Sequence, residues 1–358
     1  MIGIAAALVL IAGPLLLGLT GPIRPRGART GMPDPARPWS WELTIASALL
    51  YVLAFNLTFF IQELFLVLPK ALTPGLRPTL FHNNHGWEGD NPLASLFQGT
   101  GALGILVSGA ACSLLLRRGA GRTTDARLFL IWMAYCGFFM ALPQVVMGAL
   151  SSGSDVGMAM DYLRLGATAK TMAALAALAT IPPTALWLTR HLLSLASDPA
   201  QIDSARARTR FVFQVATLPA LIAFPLILPF RVPRETIEVV IVPAVVTVVG
   251  IVWIQAGAWR AGGAKAGGGS GVGSIAYPLG AVVLLLLAFQ LLLRPGIRFY
   301  LETPASPASR GEPPGAQAAR AGARGSAGAV TRVGTLRARR PGCCPGPAGG
   351  RERDKQRA

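Results

Sequence analysis

Long apolar runs separated by short polar segments dominate the first 300 residues of the chain. About 20 apolar residues in a row can cross a hydrocarbon core roughly 30 Å thick as an α-helix. Eight runs reach or approach this length, and we predict a membrane-spanning helix in each. The predicted spans cover residues 2–20, 43–68, 93–116, 128–150, 166–189, 211–230, 237–259 and 275–293. The pattern therefore predicts an all-α, polytopic integral membrane helix bundle over residues 1–300.

Prolines interrupt two of these runs and leave the number of spans open between seven and eight. Pro14 lies in the first run, and Pro219, Pro225 and Pro229 lie in the sixth. Proline is tolerated in a membrane helix when neighbouring groups satisfy the carbonyls that it frees. Eight spans place both termini on the same side of the membrane, whereas seven spans place the basic C-terminus in the cytoplasm.

Composition changes sharply near residue 301. From there to residue 358 the chain consists largely of Pro, Gly, Ala, Ser and Arg, with few large apolar residues. Such a segment has too little apolar surface to form a core, so we predict a disordered tail. The same bias is also typical of a shifted reading frame in a GC-rich gene.

Charge narrows the possible classes of protein. The chain of 358 residues is 52% hydrophobic and 14% charged, whereas soluble domains carry roughly a quarter charged residues. An ordinary soluble enzyme is therefore not expected. The net charge of +17 is divided between short loops and the segment after position 293, which holds 13 of the 33 basic residues. We accordingly expect the lipid bilayer as partner and no nucleic acid.

Basic residues in the loops indicate an orientation. One set of alternate loops, 21–42, 117–127, 190–210 and 260–274, holds 14 Lys or Arg, and the opposite set holds 5. Loops rich in Lys and Arg stay in the cytoplasm. With eight spans, this rule places the N-terminus outside. The localisation that we expect is a bacterial inner (plasma) membrane.

The densest polar segment, residues 81–92, follows the second predicted span. It contains His82, His85, Glu88 and Asp90. These residue types are common ligands of divalent metals such as zinc, and a His-x-x-His spacing can place both rings on one face of a helical turn. The alternative is a polar surface loop in which Asn and Gly form turns and Trp87 lies at the lipid headgroups.

Glu63 is an ionisable residue inside the otherwise apolar second span. A carboxylate in a membrane helix is costly, so it is expected to face the bundle interior, a polar cavity or a partner. The alternative is a protonated Glu near the interface. Asp155, Asp161 and Lys170 lie around the loop between the fourth and fifth spans. Under the predicted topology these four residues and the 81–92 loop lie on the non-cytoplasmic side, and Asp155 is a further potential metal ligand.

The order of these features resembles the site-2 protease group of intramembrane zinc metallopeptidases. In that family a membrane helix carries H-E-x-x-H, and a later span supplies an Asp after a Pro. Here the segment 62–66, Gln-Glu-Leu-Phe-Leu, stands at the helical motif, and Pro143 and Asp155 stand at the later segment. The resemblance covers roughly residues 43–160.

This resemblance implies a degenerate zinc motif. Both motif histidines are absent, since Gln62 and Leu66 occupy their positions, and only Glu63, at the general-base position, matches. A metal would then require substitute ligands such as His82 and His85. What the resemblance implies is a protease-like membrane protein with an altered metal site.

Three functional hypotheses remain open from the sequence. The first is a membrane protein with a metal-binding site, in which a divalent metal activates water and Glu63 acts as base. The second is a transporter or channel in which Glu63 and Lys170 line the path. The third is a non-catalytic membrane scaffold.

Overall fold

A computed structural model describes residues 2–23, 39–233, 236–262, 266–267 and 271–299. The predicted disordered tail and most of the Gly-rich stretch between residues 262 and 271 lie outside the described residues. Within the described part, eight helical segments are long and apolar enough to cross a membrane. They are Ile2–Thr20, Trp41–Ala71, Leu93–Arg117, Thr124–Leu150, Ala167–Leu193, Ala205–Arg231, Val239–Arg260 and Ala276–Leu293. The predicted all-α membrane bundle is confirmed, with eight such helices.

Eleven α-helices and three short strands make up these segments and their connections in the described residues. The α-helices are α1 Ile2–Ala7, α2 Gly13–Ile23, α3 Trp41–Ala71, α4 Leu93–Arg117, α5 Thr124–Leu150, α6 Asp155–Tyr162, α7 Ala167–Leu193, α8 Ala205–Val212, α9 Leu218–Arg231, α10 Thr236–Gly257 and α11 Ala276–Ala288. The π-helical turns Leu8–Ala12, Phe213–Thr217 and Phe289–Leu293 and the 3₁₀ turns Pro199–Gln201 and Ala258–Arg260 lie between or beside them. The strands are β1 Arg77–Leu80, β2 His85–Glu88 and β3 Ile297–Arg298.

Helix α3 lies at the centre of the bundle and packs against α4, α5, α9 and α11. Its 31 residues span about 46 Å at a rise of roughly 1.5 Å per residue. The helix therefore extends beyond a hydrocarbon core of roughly 30 Å.

Small residues let α4 and α5 approach closely. An added Cβ on Gly137 would lie 2.6 Å from the Cα of Gly109 and 2.6 Å from the carbonyl oxygen of Ile105. Membrane helices commonly associate through such small residues, because backbone atoms can then make direct van der Waals contact.

Hydroxyl groups from neighbouring helices satisfy carbonyls that two prolines leave without an intrahelical donor. Pro219 has no N–H for the carbonyl of Val215, and the Ser47 hydroxyl donates to that oxygen at 2.6 Å. Pro69 likewise cannot donate to the carbonyl of Phe65; the Thr100 hydroxyl lies 2.6 Å from that oxygen and 2.6 Å from the Phe97 carbonyl of its own helix, and its single proton can go to either. These contacts explain how prolines persist within spans of a membrane bundle.

The connections gather at two opposite ends of the bundle. The first, which we call the hairpin end, comprises residues 72–92, 151–166, 232–233 and 294–299. There the backbone amide of Phe299 donates to the Pro78 carbonyl at 3.1 Å. The side-chain amide of Gln290 donates to the Val232 carbonyl at 3.0 Å. The second, the basic end, comprises residues 39–40, 118–123, 194–204 and 258–262, where Arg127 donates to Ser194 (2.7 Å).

The sheet at the hairpin end was not predicted from the sequence. Its strand order is β2-β1-β3, and both pairings are antiparallel. Residues 81–84 form the turn of the β1-β2 hairpin, in which the Phe81 amide donates to the Asn84 carbonyl at 2.8 Å. Gly89 has φ +107°, and a Cβ there would lie 1.9 Å from the Gly75 oxygen, so only glycine fits where the hairpin closes.

Candidate functional site

Glu63 lies inside the bundle, eight residues before the end of α3. This position is about 12 Å from the helix end, given a rise of roughly 1.5 Å per residue. The residue is 5% exposed. Its Oε2 lies 2.8 Å from Nδ1 of His85. An ionised carboxylate can only accept, so with Glu63 ionised the proton of this hydrogen bond is on Nδ1 of His85.

The β1-β2 hairpin brings His85 to Glu63. His85 begins β2 and pairs with Leu80, which is buried. Alternate residues of a strand lie on the same face, and the rings of His85 and Trp87 stack with a centroid distance of 5.8 Å. The hairpin therefore holds one face of the imidazole against an indole ring while its Nδ1 meets the carboxylate.

Lys70 completes this cluster, and it was not among the predicted site residues. It follows Glu63 by seven positions on α3, which places both on one face of the helix. Its side chain is fully buried. The Lys70 Nζ lies 3.1 Å from Nε2 of His85, 3.3 Å from Oε1 of Gln98 and 4.3 Å from the centre of the Trp87 ring.

Lys70, His85 and Gln98 form a triangle of polar atoms, whose third side, from His85 Nε2 to Gln98 Oε1, measures 3.2 Å. If Lys70 is charged and His85 neutral, Lys70 donates to both other atoms. If the proton moves to Nε2, the imidazolium donates to Gln98. The Gln98 oxygen has two lone pairs and can accept in both arrangements. The triangle can therefore hold one proton on either nitrogen.

We call Glu63, Lys70, His85 and Gln98 the acid–base cluster. Two further groups belong to its surroundings. The Gln144 amide of α5 donates to Oε1 of Gln62 at 2.8 Å, next to Glu63 in the chain. Asp155, in the first turn of α6, is within electrostatic range of the Lys70 ammonium. The ionisable groups that face Lys70 are thus Glu63, His85 and Asp155.

His82 lies away from this cluster, although it is only three residues from His85. Its Nε2 lies 3.2 Å from the carbonyl oxygen of Val232, and the neighbouring Asn83 amide donates to the Arg231 carbonyl at 2.6 Å. The expected helical turn with both rings on one face is wrong, because residue 82 belongs to a hairpin turn and residue 85 to a strand. His82 and Asn83 instead connect the hairpin to the end of α9.

The other predicted site residues do not join the acid–base cluster. Glu88, opposite Arg77 in the sheet, and Asp90 are exposed. Asp161 forms an ion pair with Lys170 near the start of α7. The hydrogen bond from Lys170 lowers the pKa of this carboxyl, and the Ser152 side chain adds to the effect. Lys170 therefore has its ion-pair partner in Asp161, outside the cluster that contains Glu63.

The predicted metal ligands are not brought together. Among the described residues, no group of three or more His, Cys, Asp or Glu side chains is arranged to hold a metal ion. A histidine that binds zinc commonly donates from one nitrogen to a carboxylate and binds the metal with the other. His85 has the carboxylate, but its second nitrogen lies next to the Lys70 ammonium, whose positive charge disfavours a cation there.

Of the two cluster residues that were not predicted, Lys70 carried a signal in the sequence. Lys70 lies seven residues after Glu63, and this spacing by itself predicts that the two share a helix face. Gln98 lies inside the predicted third span and gave no such signal. Comparisons of the chain with protein-family models, with curated proteins and with solved structures give no match.

Proposed function

We propose that this multi-pass membrane protein is a proton-coupled transporter whose proton-exchanging site is the acid–base cluster. The observation that carries the proposal is the hydrogen-bonded chain from Glu63 through His85 to Lys70. Ionisable residues within membrane helices are costly, and they characteristically mark proton relays and substrate paths.

The roles of the residues follow from their contacts. Glu63 fixes the tautomer of His85 by accepting from Nδ1, so that Nε2 is directed at Lys70. Lys70 and Nε2 exchange one proton, and Gln98 accepts a hydrogen bond from whichever nitrogen holds it. Asp155, which acts electrostatically on Lys70, supplies a second acid by which the proton can leave or enter the cluster.

The orientation that we propose places the hairpin end on the non-cytoplasmic side of the membrane and the basic end on the cytoplasmic side. The support is the excess of Arg and Lys in the loops of the basic end. In a cysteine-labelling experiment on the protein with its four native cysteines changed to serine, Ser152→Cys at the hairpin end should react with a membrane-impermeant maleimide added to intact cells, and Thr123→Cys at the basic end should not. The reverse pattern would overturn the orientation.

Proton movement in vesicles tests the proposed function. The protein is reconstituted into liposomes that enclose a pH-sensitive dye, and the rate of proton entry is measured under a pH gradient, with and without a panel of small solutes. We expect faster entry than in protein-free vesicles in at least one condition. Glu63→Gln and His85→Gln should each lower that rate at least tenfold. Asp161→Asn, which alters an exposed acid at the same end, should retain it.

Two results would contradict the proposal. One is a rate of proton entry in vesicles with wild-type protein that equals the rate in protein-free vesicles under all conditions, which would favour a scaffold. The other is a wild-type rate in Glu63→Gln, which would remove the cluster from the mechanism.

Metal-dependent hydrolysis, the activity of the site-2 protease group, is the second candidate. It is favoured by the Glu63–His85 pair, since a carboxylate commonly orients a zinc-binding imidazole. Zinc titration of the purified protein separates the candidates. Stoichiometric binding that is lost in His85→Gln but kept in His82→Gln would favour the hydrolase, and no binding would favour the transporter.

A further inference from the structure

A groove on the outside of the bundle lies between the first helical segment, the α8–α9 segment and α10. Its volume is about 1450 Å³, which exceeds the roughly 300–1,000 Å³ of common small-molecule pockets. It is far from the acid–base cluster, because its lining residues lie toward the basic end. The groove is therefore a separate site.

The walls of the groove are apolar. Leu10, Ile11 and Leu15 line one side, and Val248 and Ile251 of α10 line the other. Indole hydrogen bonds fix the first helical segment along α10: Trp253 Nε1 donates to the Val9 carbonyl (3.0 Å), and Trp259 Nε1 donates to the Leu17 carbonyl (2.9 Å). These two bonds fix the distance between the first helical segment and α10 along roughly two helical turns.

The mouth of the groove is strongly basic. Arg206, Arg208, Arg210 and Arg260 line it, and the lining residues within the described part of the chain include no acid. Arg208 is held in place by its hydrogen bonds to the carbonyls of Ile202 (3.1 Å) and Trp259 (2.9 Å). Its Nε is buried and makes no hydrogen bond among the described residues, so the groove side of Arg208 carries a cationic group whose donors are only partly used.

We propose that this groove binds an anionic phospholipid. The acyl chain lies between the first helical segment and α10, and the phosphate lies among the arginines of the mouth. Arginine presents several N–H donors in a planar fork that matches phosphate oxygens, and basic pockets between membrane helices are known to hold anionic headgroups. Charge complementarity selects this occupant over the chain segment 24–38, which carries four Arg and one Asp.

Lipid-dependent stability tests this proposal. The purified full-length protein is titrated in detergent with dioleoyl phosphatidylglycerol or with dioleoyl phosphatidylcholine, and the thermal unfolding midpoint is followed. A ligand that binds the folded state alone raises this midpoint. We expect a saturable rise with phosphatidylglycerol and none with phosphatidylcholine. Glycerol phosphate, which has the headgroup chemistry but no acyl chain, should have no effect.

A matched pair of variants locates the site. Arg206→Gln/Arg210→Gln/Arg260→Gln should weaken the apparent affinity for phosphatidylglycerol at least tenfold. Arg117→Gln/Arg118→Gln/Arg122→Gln removes the same charge from exposed positions at the same end and should leave the affinity unchanged. Arg208 is retained in both variants because it binds backbone carbonyls.

Three outcomes would overturn the proposal: equal effects of both lipids, equal loss in both triple variants, or a full response to glycerol phosphate. If the first variant fails to fold, native mass spectrometry of the wild type gives the answer. One retained phosphatidylglycerol, in preference to phosphatidylcholine, supports the site, and equal retention contradicts it.

Discussion

The Glu63 carboxylate accepts a hydrogen bond from Nδ1 of His85 at 2.8 Å, and both side chains are 6% exposed. The two residues belong to different elements, a membrane helix and a four-residue strand outside it. This bond therefore ties the sheet of the hairpin end to the interior of the bundle, and it sets which nitrogen of His85 meets Lys70.

Replacing Glu63 with leucine should destabilise the fold strongly. The substitution removes the carboxylate that contacts His85 and one of the two acids that act on the buried Lys70, and removing one partner of a buried charged pair costs about 3–5 kcal/mol. Glu42→Leu is the control, because Glu42 is an exposed acid in the first turn of the same helix. Denaturant unfolding in mixed micelles, followed by circular dichroism, measures both. A similar loss of folding stability in the two variants would show that Glu63 has no buried charge partner.

Ser47→Ala should destabilise the bundle by about 1–3 kcal/mol, since it leaves buried polar groups without partners. The Ser47 hydroxyl donates to the Val215 carbonyl, which Pro219 leaves without an intrahelical donor, and it accepts from Trp132 Nε1 at 3.0 Å. Ser113→Ala is the control, because that hydroxyl bonds to a carbonyl of its own helix. The same unfolding measurement applies, and an equal, small effect of both changes would refute the role of Ser47.

Gly137→Ala should also destabilise the protein, by about 1–3 kcal/mol, as expected when an extra methyl group is forced into a packed interface. The methyl group would meet the backbone of α4, which has no flexible side chain to move aside. Gly280→Ala adds the same group to α11, where nothing lies within 4 Å. That control should be neutral or slightly stabilising, because alanine favours helix. Equal midpoints for the two variants would contradict the close α4–α5 contact.

The Asp161–Lys170 pair should contribute a small stability that depends on acid pH. Because Lys170 lowers the pKa of Asp161 in the folded state, the contribution is present above the unfolded pKa of about 3.9. It is lost as the pH falls through the lower folded pKa. The thermal midpoint of wild type should therefore fall more than that of Asp161→Asn between pH 5 and pH 3. Parallel curves would show that this exposed pair contributes nothing.

Apolar periodicity predicted the spans well because a helix is the structure that satisfies the backbone of a single segment in lipid. The prolines that made the sixth span uncertain are accommodated by long-range contacts such as Ser47 with Val215, which local sequence does not reveal. The β1-β2 hairpin was missed for a related reason. Its strands of four residues include polar positions such as Arg77 and Glu88, so their alternation is weak.

The candidate site was predicted in part. Glu63 and His85 were selected from their chemistry, and the structure brings them together. His82 was grouped with His85 because of the helical spacing, whereas the hairpin turn directs it to Val232. Lys70 was counted only as a loop charge, since its burial depends on Trp87 and Gln98. Tertiary contacts of this kind are absent from any local pattern.

The position of the proton on His85 tests the central claim most directly. The chain has three histidines, so ¹⁵N labelling of histidine gives three sets of ring signals, which His82→Gln and His191→Gln assign. At neutral pH we predict that His85 is protonated on Nδ1 and unprotonated on Nε2, with Lys70 holding the shared proton. In Lys70→Met the group that hydrogen-bonds to Nε2 is gone, so the Nε2 signal should shift. An Nε2 signal that is the same in wild type and in Lys70→Met would contradict a proton shared between His85 and Lys70.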